Sequence, residues 1–309
     1  MEHIFLHKSL QLITDKGFYS SENLPHNADV LCLDPLGYAR FIRPSIIYGE
    51  ESGLYYKIRT ETFDFSLSAN SDMYIGIRPY KKELVHSVCN TLIGTKIRVP
   101  AVPQHKQLDG YPISDINLVL YALTTLKRAR IIDHGISVST HVKKYQERIE
   151  SLLDNAGVYY EKDDTLSSRR YNIYFQYVRE KKISSEFVSR MNAEQAKRFI
   201  GVCIMFDTVG SYRKQAGYNV LCKPEHAALL TAVALKAGFR THVGNHFGYE
   251  RGIDSISIKK QEDWYLTILD CKMSENDTTD KIITFPERHK GVFAVADGHV
   301  FIIPNLKID

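Results

Sequence analysis

Over about the first hundred residues apolar and polar side chains alternate in short runs, as at Val30 to Leu33, Tyr55 to Arg59 and Phe63 to Leu67. Turn signals at Asp34-Pro35-Leu36-Gly37, Tyr48-Gly49 and Gly53 separate them. A period of two bounded by Gly and Pro predicts β-strands, and helical periodicity is absent until the Lys81 to Leu92 region. Beyond Pro100 and Pro103 the pattern changes. Ser114-Asp115 reads as an N-cap before an apolar helix, Ile116 to Leu126. Arg130 to Ile132 and Gly135 to Val138 predict a hairpin, and Val142 to Asn155 a helix with Tyr145, Ile149, Leu152 and Leu153 on one face. Val158 to Glu161 and Tyr171 to Tyr177 read as strands.

Much of this order recurs. Asn192 precedes a helix from Ala193 to Phe206, Tyr212 to Gln215 and Tyr218 to Cys222 predict a second hairpin, and Pro224 opens a helix to Ala237 that Gly238 ends. Arg240 to Val243 and Trp264 to Leu269 take the places of the last two strands, with the longer Gly244 to Asp263 stretch between them. The two copies predict an αββαββ unit occurring twice, each second helix closing on Ala-Gly. After Cys271 the polar SENDTTD leads to two strands, Val292 to Val295 and His299 to Ile303, around an Asp297-Gly298 turn, a strong hairpin signal. The expected class is therefore α+β, with boundaries at 1–103, 104–190, 191–273 and 274–309.

Composition narrows the functional classes. The chain has 309 residues, ample for a buried core, and a net charge of +4. Its basic residues cluster at Lys127-Arg128-Arg130, Lys143-Lys144, Arg169-Arg170 and Arg179-Lys181-Lys182, which points to a polyanion. The N-terminus has no uninterrupted apolar run of signal-peptide type, and no stretch reaches transmembrane length. Five cysteines without CxxC spacing argue against a disulfide framework or a zinc ribbon, so the expected setting is reducing and cytoplasmic. No phosphate-binding or dinucleotide fingerprint occurs and no histidine has zinc-site company, so neither a membrane nor a small-molecule cofactor is expected.

With its flanking strands, the repeated helix-and-hairpin order resembles an intein (Hint domain) that carries a LAGLIDADG homing endonuclease. The likeness covers nearly the whole chain: both ends would form an all-β Hint-like domain, with a pseudo-symmetric duplicated αββαββ LAGLIDADG-like domain inserted between them. In that family the first helices of the repeats pack through small residues, for which Ala122 and Gly201 are candidates, and each ends in an acid that holds divalent metal at the DNA. Asp207, followed by Thr208-Val209-Gly210, is similar to that acidic end, while Lys127 stands in the other acid's place. Leu67 to Met73 resembles the family's block B with Ser71 where its histidine belongs. Val292 to Asn305 resembles its C-terminal block, with Pro304 for the usual histidine and Leu306 for the following nucleophile. The block resemblance is to inteins of phage type; splicing needs a thiol or hydroxyl at each junction, so these departures imply a degenerate relative, expected to be free-standing.

The resemblance implies double-stranded DNA as partner, met on strand faces by Lys127, Arg128, Arg169, Arg170, Asn172, Tyr174 and Gln176 from the first copy and Arg213, Gln215, Arg240 and His242 from the second. It implies Asp207 as catalytic and metal-binding residue, Asp133 as an alternative acid, and Mg2+ as cofactor if nuclease activity persists. One carboxylate alone holds Mg2+ poorly, and Lys127 opposite it would repel the cation, so cleavage is doubtful. Simpler readings stand beside these: Asp207 as a turn residue, Lys127 and Arg128 as partners of a helix dipole. An adaptor that keeps only the scaffold and binds a protein is the alternative function.

Overall fold

A computed structural model describes residues 3–48, 54–68, 73–78, 81–85, 93–103, 109–140, 142–165, 168–175, 183–207, 217–244, 255–259, 263–275, 281–285 and 289–304. Among the described residues of the N-terminal third the regular elements are strands and one 3-10 turn. The strands are β1 (His3–Leu6), β2 (Gln11–Thr14), β3 (Gly17–Ser20), β4 (Val30–Leu33), β5 (Ala39–Ile42), β6 (Ser45–Tyr48), β7 (Leu54–Thr60), β8 (Phe65–Ser68), β9 (Met73–Arg78), β10 (Lys81–Val85) and β11 (Lys96–Pro100). Lys81–Val85 is strand rather than helix, and the rest of the Lys81 to Leu92 stretch lies outside the described residues. The middle holds α1 (Asp115–Thr125), β12 (Arg130–Ile132), β13 (Gly135–Thr140), α2 (Lys143–Asn155), β14 (Tyr160–Asp164), β15 (Arg169–Tyr174), α3 (Ser185–Arg190) and α4 (Ala193–Asp207). Then come β16 (Tyr218–Leu221), α5 (Pro224–Lys236), β17 (Arg240–Gly244), β18 (Ser255–Lys259), β19 (Asp263–Glu275), β20 (Lys281–Thr284), β21 (Gly291–Ala296) and β22 (His299–Pro304).

The expected α+β class, an end-formed Hint-like β domain carrying a separate duplicated αββαββ domain, does not hold. The chain is mostly β, in antiparallel sheets to which distant segments contribute together. β12-β13-β15-β14 is one four-stranded sheet, but β16-β18-β17 continues without a break through β22, β21, β2, β4 and β5 as part of a nine-stranded sheet. His242 of β17 is registered with His299 of β22. The strand expected to close the second copy, Trp264 to Leu269, belongs elsewhere: β19 runs for 13 residues between β11 and β7 in a six-stranded sheet, β10-β9-β11-β19-β7-β8. The cause is burial. Trp264, Leu266 and Ile268 face inward with Ile58, Ile97 and Val99 of β7 and β11, and the Trp264 Nε1–H donates to the Val300 carbonyl at 2.7 Å, tying this sheet to β22. A single core likewise joins Ile13 and Leu31 of the N-terminal strands to α1, α4 and α5 and on to Phe293 and Ile302.

Local signals account for most elements. The Ser114 hydroxyl accepts from the Asn117 N–H at 3.2 Å and starts α1. Gly157 and Gly238, both at positive φ, follow α2 and α5 as left-handed C′ residues. Asp297 and Gly298, at φ 45° and 76°, make the two-residue turn between β21 and β22. α1 packs against α4 and α4 against α5. Ala122 is buried there, whereas a Cβ on Gly201 would meet nothing, so only the first of the two small residues belongs to a close contact. Cys271 is disulfide-bonded, contrary to the expectation from cysteine spacing, while Cys32, Cys203 and Cys222 are free and buried. Among the described residues no helix is long and apolar enough to cross a membrane.

Gly135 opens β13 opposite Tyr174 of β15. A Cβ there would lie 2.0 Å from the Ile173 carbonyl oxygen, a backbone atom that can move only by breaking the ladder. Gly135→Ala is expected to destabilise the chain by about 1–3 kcal/mol. The change would read as a lower urea midpoint at unchanged m-value.

Candidate nucleic-acid interface

The four-stranded sheet has one covered and one open face, and strand alternation sorts its side chains between them. Ile136, Val138, Tyr171 and Ile173 point to the helices and are buried. On this side Glu150 of α2 collects three donors: Lys162 Nζ at 2.6 Å, Arg169 Nη1 at 2.8 Å and the Tyr171 hydroxyl at 3.0 Å. Burial alone would raise the Glu150 carboxyl, but these hydrogen bonds outweigh it and hold its pKa below the ordinary carboxylate value. Arg169 also bonds Asp164, its cross-strand partner, and its guanidinium pKa is raised by both acids, Asp164 first. Arg169 is therefore committed to holding the sheet on α2.

Arg170 is one residue further along β15 and so faces the other way. The open face carries Arg130, Ser137, Asn172 and Glu161 in one cross-strand row, and Ser139, Arg170 and Asp163 in the next. α1 delivers two more cations. Its last turn gives way to an extended Leu126, and the Ala129 N–H returns to the Leu126 carbonyl at 3.2 Å, which puts Lys127 and Arg128 at the corners of a tight turn beside β12. Lys127, Arg128, Arg130 and Arg170, with Ser137, Ser139, Asn172, Ile131 and Ile132, line a groove of about 700 Å3. No acid lines it. Asp163 and Glu161 stand on the edge strand β14, where Asp163 pairs with Arg170 at 3.9 Å and Glu161 accepts from the Tyr174 hydroxyl at 2.9 Å.

Among the described residues of the second copy no equivalent surface forms. Arg240 lies with its guanidinium 4.1 Å from the Trp264 ring centre, and His242 meets His299 edge to face at 4.6 Å. His299 in turn stacks on Phe63 at 4.3 Å. Burial lowers the pKa of both imidazoles, that of His299 to about 4 with the neighbouring His242 contributing, so neither carries positive charge near neutral pH. These residues belong to the seam between the six- and nine-stranded sheets.

Asp207 is the last residue of α4; its side chain, like Gln176, Arg213, Gln215, Ser71, Asn305 and Leu306, lies outside the described residues. Asp133 is exposed in the β12–β13 turn beside His134, which takes a positive φ of 61°, and does not line the groove. Among the described residues no group of three or more His, Cys, Asp or Glu side chains could hold a metal ion. Sequence reasoning omitted Arg130, Ser137 and Ser139 from the surface. The hairpin register, with Arg130 opposite Ser137, is the signal that places them there. It also set Arg169 beside Arg170, although adjacent strand residues cannot share a face.

No protein-family model matches the chain, and no curated protein matches it. Among solved structures it is similar to the crystal structure of the N-terminal LAGLIDADG domain of DUF199/WhiA, at 14% identity over 49% of this chain and 80% of that one, with a TM-score of 0.33.

Proposed function

We propose that the chain binds double-stranded DNA through the groove on the open face of the β12-β13-β15-β14 sheet, and binds it without cutting. The observation that supports this reading is the lining itself, four cations with hydroxyl and amide groups. β12, β13 and β15 span about 10 Å at the usual strand spacing, which suits a major groove about 12 Å wide that admits a β-ribbon. Lys127, Arg128, Arg130 and Arg170 would brace phosphates, and Asn172, Ser137 and Ser139 lie where base edges would come. Arg240 and His242 are occupied at the sheet seam and take no part in it.

Duplex affinity measured by fluorescence anisotropy should fall with salt with a log–log slope of about −3.6, or 0.9 for each of the four groove cations. No binding at about 50 mM salt would overturn the proposal. Plasmid nicking in Mg2+ by the wild-type chain that disappears in Asp207→Asn would overturn the part that excludes cleavage.

A further inference from the structure

A second basic face lies on the six-stranded sheet. Its inner side is apolar, with Ile58, Ile97, Val99, Leu266 and Ile268 buried. On the outer side the registered pairs are Arg98 with Tyr265, Lys96 with Thr267, Arg59 with Asp270 and Lys57 with Lys272. Asp270 forms an ion pair with Lys272 at 3.3 Å. Asp263 is registered opposite Pro100 at the end of the same row, so five cations stand against two acids in that row's registered pairs. Lys57 opposite Lys272 is a like-charge cross-strand pair, an arrangement that destabilises a sheet unless something anionic lies over it.

Two apolar side chains interrupt this face. Tyr265 is 47% exposed between Arg98 and Thr267, and Leu269 is 48% exposed at the bulge where β19 shifts register against β7. They stand about 13 Å apart along one strand. A duplex hides the faces of its bases and could use only the charges. A single strand offers phosphates to the lysines and arginines and an unstacked base to an exposed ring, the combination by which sheet surfaces hold unpaired nucleic acid.

We infer that the outer face of the β7–β19–β11 strands binds single-stranded nucleic acid, with a base stacked on Tyr265 and its phosphates held by Lys57, Arg59, Lys96, Arg98 and Lys272. This surface belongs to a different sheet from the duplex groove and works independently of it.

The test uses the full chain and a labelled oligothymidylate of about twenty nucleotides, followed by anisotropy. Tyr265→Ala should weaken binding about tenfold while Tyr265→Phe, which keeps the ring, stays near wild type. Lys57→Ala with Lys272→Ala should make the salt slope shallower by about 1.4, at 0.7 for each lost phosphate contact. Arg130→Glu with Arg170→Glu should leave oligothymidylate affinity within about twofold even if the duplex is lost, which separates this inference from the duplex proposal. Three outcomes overturn it: no oligothymidylate binding at about 50 mM salt, equal affinity of Tyr265→Ala and wild type, or loss of both probes in the Arg130/Arg170 variant. Polyglutamate of matched length bound as tightly as the oligonucleotide, with Tyr265→Ala indifferent, would reassign the face to an acidic protein. Tyr265 is half exposed, so a thermal midpoint of Tyr265→Ala equal to wild type confirms that the variant compared is folded.

Discussion

A chain carrying Arg130→Glu and Arg170→Glu is expected to bind duplex DNA on the order of a hundredfold more weakly than wild type, about 3 kcal/mol. Two phosphate contacts vanish and two repulsive carboxylates replace them in a groove lined by four cations. The salt slope should fall by about 2 as well, since two counterions fewer are released. Both side chains lie on the open face, and the Arg170–Asp163 pair at 3.9 Å is solvent-exposed, so little stability depends on them. Arg169→Ala is the informative control. Its side chain binds Glu150 and Asp164 on the opposite face, so thermal stability should fall while the duplex salt slope stays near wild type. If Arg169→Ala flattened that slope as much as the double variant, the assignment of faces would be wrong.

The second large effect concerns Lys236. Near the end of α5 its Nζ is buried and donates to the Ala39 carbonyl at 3.0 Å and the Ser189 carbonyl at 2.9 Å, joining α5 to β5 and to the C-terminal end of α3. Burial, followed by the nearby Arg40, pulls its pKa down to about 7, with Asp34 opposing. A lysine whose folded pKa lies below its unfolded value of 10.5 binds fewer protons in the native state between those two values. Stability from this group is therefore flat below about pH 7 and rises as pH increases above it, by up to about 1.4 kcal/mol per unit. The neutral amine still donates to both carbonyls. Lys236→Met removes these donors and leaves two buried acceptors unmet, which costs about 2 kcal/mol. Urea unfolding at several pH values from 7 to 9.5 should show the wild type pulling away from the variant by roughly 1 kcal/mol per unit. Parallel curves would show that the lysine is not desolvated.

Several local elements were legible because their signals are local. Ser114 before an apolar run, the Pro224 start and Gly238 stop of α5, and the Asp297-Gly298 turn each act within a few residues, and each lies where its chemistry requires. Alternation along β15 likewise separates Arg170, Asn172 and Tyr174 from Arg169, Tyr171 and Ile173. It does not say which set meets water, because both rows contain an arginine and a tyrosine. That was decided by α2, whose Glu150 meets Arg169 and Tyr171 and leaves the Arg170 row open.

The sheets were not legible for a related reason. β17 and β19 read as the last strands of a second copy, and nothing within either run names its partner. β19 joins β7 and β11, far away in sequence, because Trp264, Leu266 and Ile268 find a larger apolar surface there. β17 meets β22 through His242 and His299, and that pairing turns two expected DNA ligands, Arg240 and His242, into packing for the seam. The caps and turns of α1 and α5, the β21–β22 turn, the alternation along β15 and the clustering of positive charge could be read along the chain, since these depend on neighbours within a turn or a hairpin. Which strands share a sheet, which of Arg169 and Arg170 faces solvent and that Arg240 and His242 are spent on a seam follow from packing, because burial of apolar area is settled between segments far apart along the chain.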